Sequence, residues 1–265
     1  MFELIVFLLI GIFSGISAGL FGIGGGLIVV PALVMIYQSQ GMPAEYIMQT
    51  AVSTSLMTIL ITSLSSAYAH HRYHHINWSI VHVLGPGLFL GAFVAAYFIL
   101  SVPSSLLQQC FVIYMALAAL KIWLPSPVGV NSSLLSTPLL FVFGVIAGGF
   151  SALVGVGGGT VIVPYLVTAK QPIKQAIGSA SACGFFIALA AVVGVLVLAG
   201  QQNQLDIERH QAIIDWNAFV GISLTSVIFS RVGAYFSERL PVSLLRRIFS
   251  LLLLIVAVKM WLSVA

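Results

Sequence analysis

Long apolar runs with almost no charge limit what this chain can fold into. Trp78 to Leu100 holds no Asp, Glu, Lys or Arg in 23 residues. About 20 apolar residues cross a bilayer as a helix. Further long runs lie near Ile47–Ala69, Ser105–Leu124, Ala176–Ala199, Trp216–Phe236 and Ser243–Val264. Shorter ones lie at Leu4–Phe21, Leu27–Tyr37, Leu139–Val154 and Thr160–Thr168. Only 6% of the 265 residues are charged, against 60% hydrophobic, whereas soluble domains carry about 25% charged residues. So few charges cannot make a water-facing surface, so the bilayer is the solvent. The runs are continuous rather than alternating over short strands, which favours helices over a barrel. The start, Met1-Phe2-Glu3, lacks the positive region of a signal peptide, so the first run reads as a retained membrane segment. Cys110 and Cys183 sit inside apolar runs and read as small hydrophobes.

The chain repeats itself. Gly11–Val34 and Gly144–Val167 align without a gap, with eleven of twenty-four positions identical. Gly22, Gly24, Gly25, Gly26 and Pro31 fall on Gly155, Gly157, Gly158, Gly159 and Pro164. Later matches hold one constant spacing: Trp78 with Trp216, Ala96-Tyr97-Phe98 with Ala234-Tyr235-Phe236, Pro103 with Pro241 and Trp123 with Trp261. The expected division is a first membrane repeat at 1–124, a linker at 125–138 and a second repeat at 139–265. A unit of half the chain is too long for a solenoid and suits a transporter half.

Each repeat predicts a glycine-broken pair of helices followed by three crossings. If the broken pair enters and returns on one side, each half crosses an odd number of times and the halves are inverted. Charge then sorts well. One side takes Arg72, Lys121, Lys170, Lys174, Arg239, Arg246 and Arg247. The other takes Arg209 and Lys259, with Glu3, Glu45, Asp206 and Glu208. The basic side is expected to be cytoplasmic, with both termini outside. The rival, one crossing through Leu4–Tyr37, needs a helix of about 50 Å. The expected fold is an all-α integral membrane protein of two inverted-topology repeats, each a glycine-broken helical hairpin plus three transmembrane helices.

Three glycines in a row stop a helix. Inside a membrane an opened backbone must be satisfied by protein or by a wet cavity. The helix restarting after the break offers free N–H groups and a positive dipole end, which suits an anion. Gly24, Gly25 and Gly26, with Gly157, Gly158, Gly159 and Thr160, are therefore candidate substrate-binding residues. Close packing of helices is the competing reading, and for Gly11 and Gly15, four apart, it is the better one. No Gly-Lys-Ser/Thr follows either run, so these are not nucleotide loops. The next helix starts with Gln49-Thr50-Ala51-Val52-Ser53-Thr54-Ser55 in one half and Gln175-Ala176-Ile177-Gly178-Ser179-Ala180-Ser181 in the other. Ser53, Thr54, Ser55, Ser179 and Ser181 add hydroxyls that can replace water around an oxyanion, or else bond their own helix backbone.

The duplicated glycine motif ending in Val-Pro, the Ser/Thr-rich second helix and the polar loops into Asn77-Trp78 and Asp215-Trp216 resemble the TauE/SafE family. Those proteins are bacterial and archaeal sulfite and organosulfonate exporters and permeases. The resemblance covers almost the whole chain. It implies an inner-membrane protein carrying sulfite, sulfoacetate, taurine or thiosulfate, with direction differing among members. The histidine-rich loop Ala69-His70-His71-Arg72-Tyr73-His74-His75 departs from the family pattern. Its i, i+4 histidines suit a metal or a pH sensor, but no acid or Cys lies beside them in sequence, and a plain interfacial loop explains them as well. Arg231, a strong base inside a predicted span, either attracts an anion or, lying near the end of its run, snorkels to the interface. Asn77 and Asp215 read as helix caps.

The functional expectation is a secondary transporter of small anions working by alternating access. No ATP motif is present, so energy comes from the substrate gradient or a coupled proton or cation. Its partners are the anion and the lipid bilayer. No cofactor, metal, nucleic-acid partner or enzymatic activity is expected, for the spans pair no nucleophile with a base. An anion channel and a non-transporting scaffold are the alternatives.

Overall fold

In the computed structural model, residues 2–123, 136–201, 213–239, 241, 251, 254–255 and 258 are described. The elements are helices α1 (Phe2–Phe21), α2 (Gly26–Ser39), α3 (Ala44–Arg72), α4 (Trp78–Ser101), α5 (Ser104–Trp123), α6 (Thr137–Leu153), α7 (Gly159–Thr168), α8 (Ile173–Gln201) and α9 (Trp216–Arg239). Most of the expected linker, Asp206, Glu208, Arg209 and the basic residues Arg246, Arg247 and Lys259 lie outside the described residues. So does the last run, apart from Leu251, Leu254, Ile255 and Val258.

Local chemistry sets the ends of these helices. Asn77 caps α4 by accepting from the Ile80 amide at 3.4 Å, and Asp215 caps α9 by accepting from the Ala218 amide at 3.0 Å. The loop histidines do not form two helical pairs, because α3 stops at Arg72 and His74 turns left-handed. His70 and His71 remain on the helix; His74 and His75 leave it. Among the described residues no group of three or more His, Cys, Asp or Glu is placed to hold a metal.

Five of the described helices are long and apolar enough to cross a membrane: α1, α3, α4, α8 and α9. α2 returns beside α1, since Gln40 just past its end donates to Glu3 at the start of α1 at 2.9 Å. The expected hairpin is therefore formed, and its first limb alone has spanning length.

Small residues let the helices approach. Gly11, Gly15 and Gly19 of α1 lie against Ile222, Ser226 and Ser230 of α9, so the two run parallel. Gly87 and Gly91 of α4 meet Val145 of α6 at backbone distance, again parallel. The first limb of each hairpin thus packs along the fourth helix of the opposite half. α3 crosses α8 antiparallel, with Ser66 bonded to Ser181 at 3.1 Å and Ser63 beside Gly184. α3 runs parallel to α9, from Thr54 at Asp215 to Thr62 at Ser226. α8 runs parallel to α4, from Ser179 at Asn77 to Gly194 at Phe93 and Ala96. Phe13, Leu64, Val94, Tyr97, Leu224 and Ile228 point outward, an apolar surface suited to lipid rather than water.

A Cβ on Gly148 would meet the Leu88 carbonyl oxygen and stand 2.7 Å from Leu88 Cα, whereas one on Gly149 would stand 3.3 Å from the Gly91 oxygen. Gly148→Ala is expected to cost about 1–3 kcal/mol by overpacking, and Gly149→Ala less. Thermal unfolding in detergent, with the two variants side by side, checks the order.

Candidate functional site at the crossed glycine breaks

The two glycine breaks meet. A Cβ on Gly26 would strike the Gly155 carbonyl oxygen, and one on Gly159 the Gly22 carbonyl oxygen. Between them, a Cβ on Gly24 would stand 3.2 Å from Gly157 Cα. Gly22 therefore faces Gly159, Gly24 faces Gly157 and Gly26 faces Gly155, as two short antiparallel segments. The Gly157 amide donates to the Ile23 carbonyl at 3.0 Å, joining them directly. Ile59, near the middle of α3, and Gly184, in the middle part of α8, flank the crossing. All ten residues of the two motifs are buried.

Only glycine fits here. Gly25 and Gly158 precede α2 and α7 with φ of 86° and 78°, left-handed values that strain any residue with a Cβ. Neither helix start is capped by a side chain. The first-turn amides of α2 and α7 thus lie in the interior with the positive ends of both helices. In this conformation hydrocarbon covers part of the crossing. Ile59 lies over Gly24 and Gly26, and Ile187 and Ile162 over Gly158.

The expected hydroxyls divide into two groups. Ser55 donates to the Gly155 carbonyl at 2.9 Å, and Ser181 lies beside Gly22, so both touch the breaks. Ser53 and Thr160 carry buried hydroxyls that have no hydrogen-bond partner among the described residues. Thr54 and Ser179 are used elsewhere, accepting from the backbone amides of Asp215 and Asn77, each at 2.9 Å. These two bonds match Thr54 with Ser179 across the halves.

One residue at the site was not anticipated. Ser151, on α6, is fully buried, and its hydroxyl has no partner among the described residues. It lies 3.6 Å from where a Cβ on Gly158 would stand. In sequence it is one serine in an apolar run, with nothing to separate it from a packing residue. Arg231 is exposed, donates to Ser65 at 3.4 Å and lies over the Tyr68 ring at 5.9 Å. That placement fits snorkelling and keeps it away from the breaks. Asp215 also accepts from the buried Tyr37 hydroxyl at 3.2 Å, tying α9 to the end of α2.

An all-helical bundle with apolar outer faces and broken helices meeting in its interior defines a multi-pass membrane protein. Residues 7–260 match the family model described as "Sulfite exporter TauE/SafE", and the chain belongs to that family of membrane transporters. A "Probable membrane transporter protein" of Haemophilus influenzae is 38% identical over 260 residues, covering 97% of both chains. A protein of the same description from Methanocaldococcus jannaschii is 32% identical over 172 residues, 64% of each chain. One from Bacillus subtilis is 25% identical over 233 residues, covering 77% of this chain and 81% of its own. No solved structure matches.

The cap at Asp215 separates structure from charge. Asp215→Ala is expected to lower stability by about 1 kcal/mol through loss of the cap, while Asp215→Asn, which caps as Asn77 does, stays within a few tenths. Thermal unfolding of both purified variants measures the difference.

Proposed function

We propose that this protein is a secondary-active transporter of small sulfur-containing or organic oxyanions, of the sulfite, sulfonate, sulfoacetate or thiosulfate class. The anion binds at the crossed breaks, held by the first-turn amides of α2 and α7 and by Ser55, Ser151, Ser53, Thr160 and Ser181. The observation that carries this reading is the meeting of two uncapped helix starts beside buried hydroxyls that lack partners. Two positive helix ends attract a negative charge without adding a titratable group, and spare hydroxyls replace its water.

The halves, 1–124 and 139–265 joined by 125–138, work as inverted repeats that rock against one another. The helix directions support this: α1 and α3 run together, opposite to α6 and α8, and α4 runs opposite to α9. In the conformation described, the Gly157 amide is spent on Ile23 and isoleucines cover the crossing. Rocking the halves apart breaks that bond and frees the amide for the anion. Arg72, Lys170, Lys174 and Arg239 gather at one end, where His75 and Lys174 both reach Glu238. That end is cytoplasmic, in a bacterial or archaeal inner membrane, which sets the start of the chain outside. The substrate gradient or a coupled proton or cation supplies the energy.

Counterflow of radiolabelled sulfite, thiosulfate, sulfoacetate and taurine into proteoliposomes tests the reading and distinguishes a carrier from a channel. Ser151→Ala removes an unpartnered buried hydroxyl, so stability is expected to hold or rise. Anion affinity falls about tenfold, the scale of one hydrogen bond to a charged group. Unchanged transport in that variant removes Ser151 from the site, and absence of flux for every anion in the wild type ends the proposal.

A further inference from the structure

We infer that the basic end carries a second oxyanion station, in which Lys174 and His75 hold the Glu238 carboxylate in place of substrate until an incoming oxyanion displaces it. This rests on the anion-transport reading above. Glu238 lies at the end of α9, and its two oxygens are held separately. One is 2.8 Å from His75 Nδ1 on the α3–α4 loop, and the other is 2.7 Å from Lys174 Nζ in the first turn of α8. Lys174 donates to one oxygen, while the His75 contact lacks hydrogen-bond alignment and leaves His75 Nδ1 and Glu238 Oε1 buried without hydrogen-bond partners among the described residues. A lysine on one oxygen and a spare imidazole nitrogen beside the other suit one edge of a sulfite, sulfonate or carboxylate. The glutamate is a tethered oxyanion already seated in a receptor.

A spare polar atom stands behind this pair. His70 is 1% exposed, and its Nε2 donates to the Gly19 carbonyl at 2.9 Å. Its Nδ1 is buried with no hydrogen-bond partner among the described residues. The ring lies 6.4 Å from the His75 ring. Because Nε2 donates, Nδ1 carries a lone pair. That lone pair suits an oxyanion with an O–H of its own, such as bisulfite. The other groups nearby are turned elsewhere or are neutral. Arg239 stacks on Tyr235 at 4.5 Å, and the Tyr73 ring lies 6.2 Å from His75.

The duplication shows that the bundle can close this end without these charges. At the spacing that carries Trp78 to Trp216, Glu238 corresponds to Leu100. By the cap contacts that match Thr54 with Ser179, Lys174 corresponds to Gln49, whose side chain donates to the Val102 carbonyl at 2.9 Å. The matching end of the other half therefore closes without these charges. The socket also connects to the crossing, for His70 holds Gly19, three residues before the first break. An oxyanion that releases Glu238 frees the end of α9 from α8 and from the loop at the same moment.

Transport kinetics in proteoliposomes test the socket, using sulfite or whichever anion of the panel the wild type carries. Glu238→Gln removes the tethered competitor, so KM is expected to fall about threefold or more with the maximal rate kept, while Lys174→Met raises KM. The double variant follows Lys174→Met, since the receptor has lost its cation. A merely structural tie gives another pattern: both single variants lose rate and thermal stability, and the double variant recovers part of each. Should Glu238→Gln fail to reach the bilayer, Glu238→Asp withdraws the charge from the socket and is expected to lower KM in the same sense. A wild type that moves none of the anions defeats the transport reading itself. A wild type that transports, with KM unchanged or raised in the folded Glu238 variant, overturns the socket alone.

Discussion

The bundle turns on one contact, the backbone of one glycine break laid against the backbone of the other. A helix opened inside a bilayer leaves amides and carbonyls that lipid cannot satisfy, each costing several kcal/mol. Here the Gly157 amide reaches the Ile23 carbonyl and Ser55 reaches the Gly155 carbonyl. The second break thus gives an amide to the first, and α3 of the first half gives a hydroxyl to the second. Glycine is required because any side chain between the segments would hold the two polar backbones apart. The parallel pairing of α1 with α9 and of α4 with α6 follows, since it brings the hairpin of each half into the other half's bundle.

Many polar groups elsewhere in the interior are spent on structure. Thr58 and Thr62 bond back to their own helix, to the Ser55 and Thr58 carbonyls. Thr62 and Ser226 join α3 to α9 at 2.7 Å. The hydroxyls of Ser223 and Tyr114 also lack partners among the described residues, but it is Ser53, Ser151 and Thr160 that belong to the candidate site. A buried hydroxyl without a partner is a cost the fold bears for some other reason, and two of these three sit on or beside the second break.

Much of the fold was legible in the sequence. Helical spans, the hairpin and the packing role of Gly11 and Gly15 could be read from run length and glycine spacing, because these are local properties. The meeting of the breaks was an inference from duplication, and the contacts at Gly24 and Gly157 place them together. Three features escaped. The stop of α3 at Arg72 depends on a left-handed His74 that composition does not announce. The acid beside the histidines is Glu238, more than 160 residues away, so no local spacing reveals it. The match of Thr54 with Ser179 comes from contacts between halves with the residues that cap α9 and α4, which the sequence of one helix does not reveal.

The pairing of α1 with α9 has a consequence for how the protein is made. The glycine stripe of α1 fits a partner that leaves the ribosome some 200 residues later, at 5–20 residues per second roughly 10–40 s. Until then its grooved face is covered only by lipid or by a chaperone of the insertion machinery. A chain truncated before α9 has nowhere to dock its first helix and leaves the small-residue groove of α1 open to the bilayer.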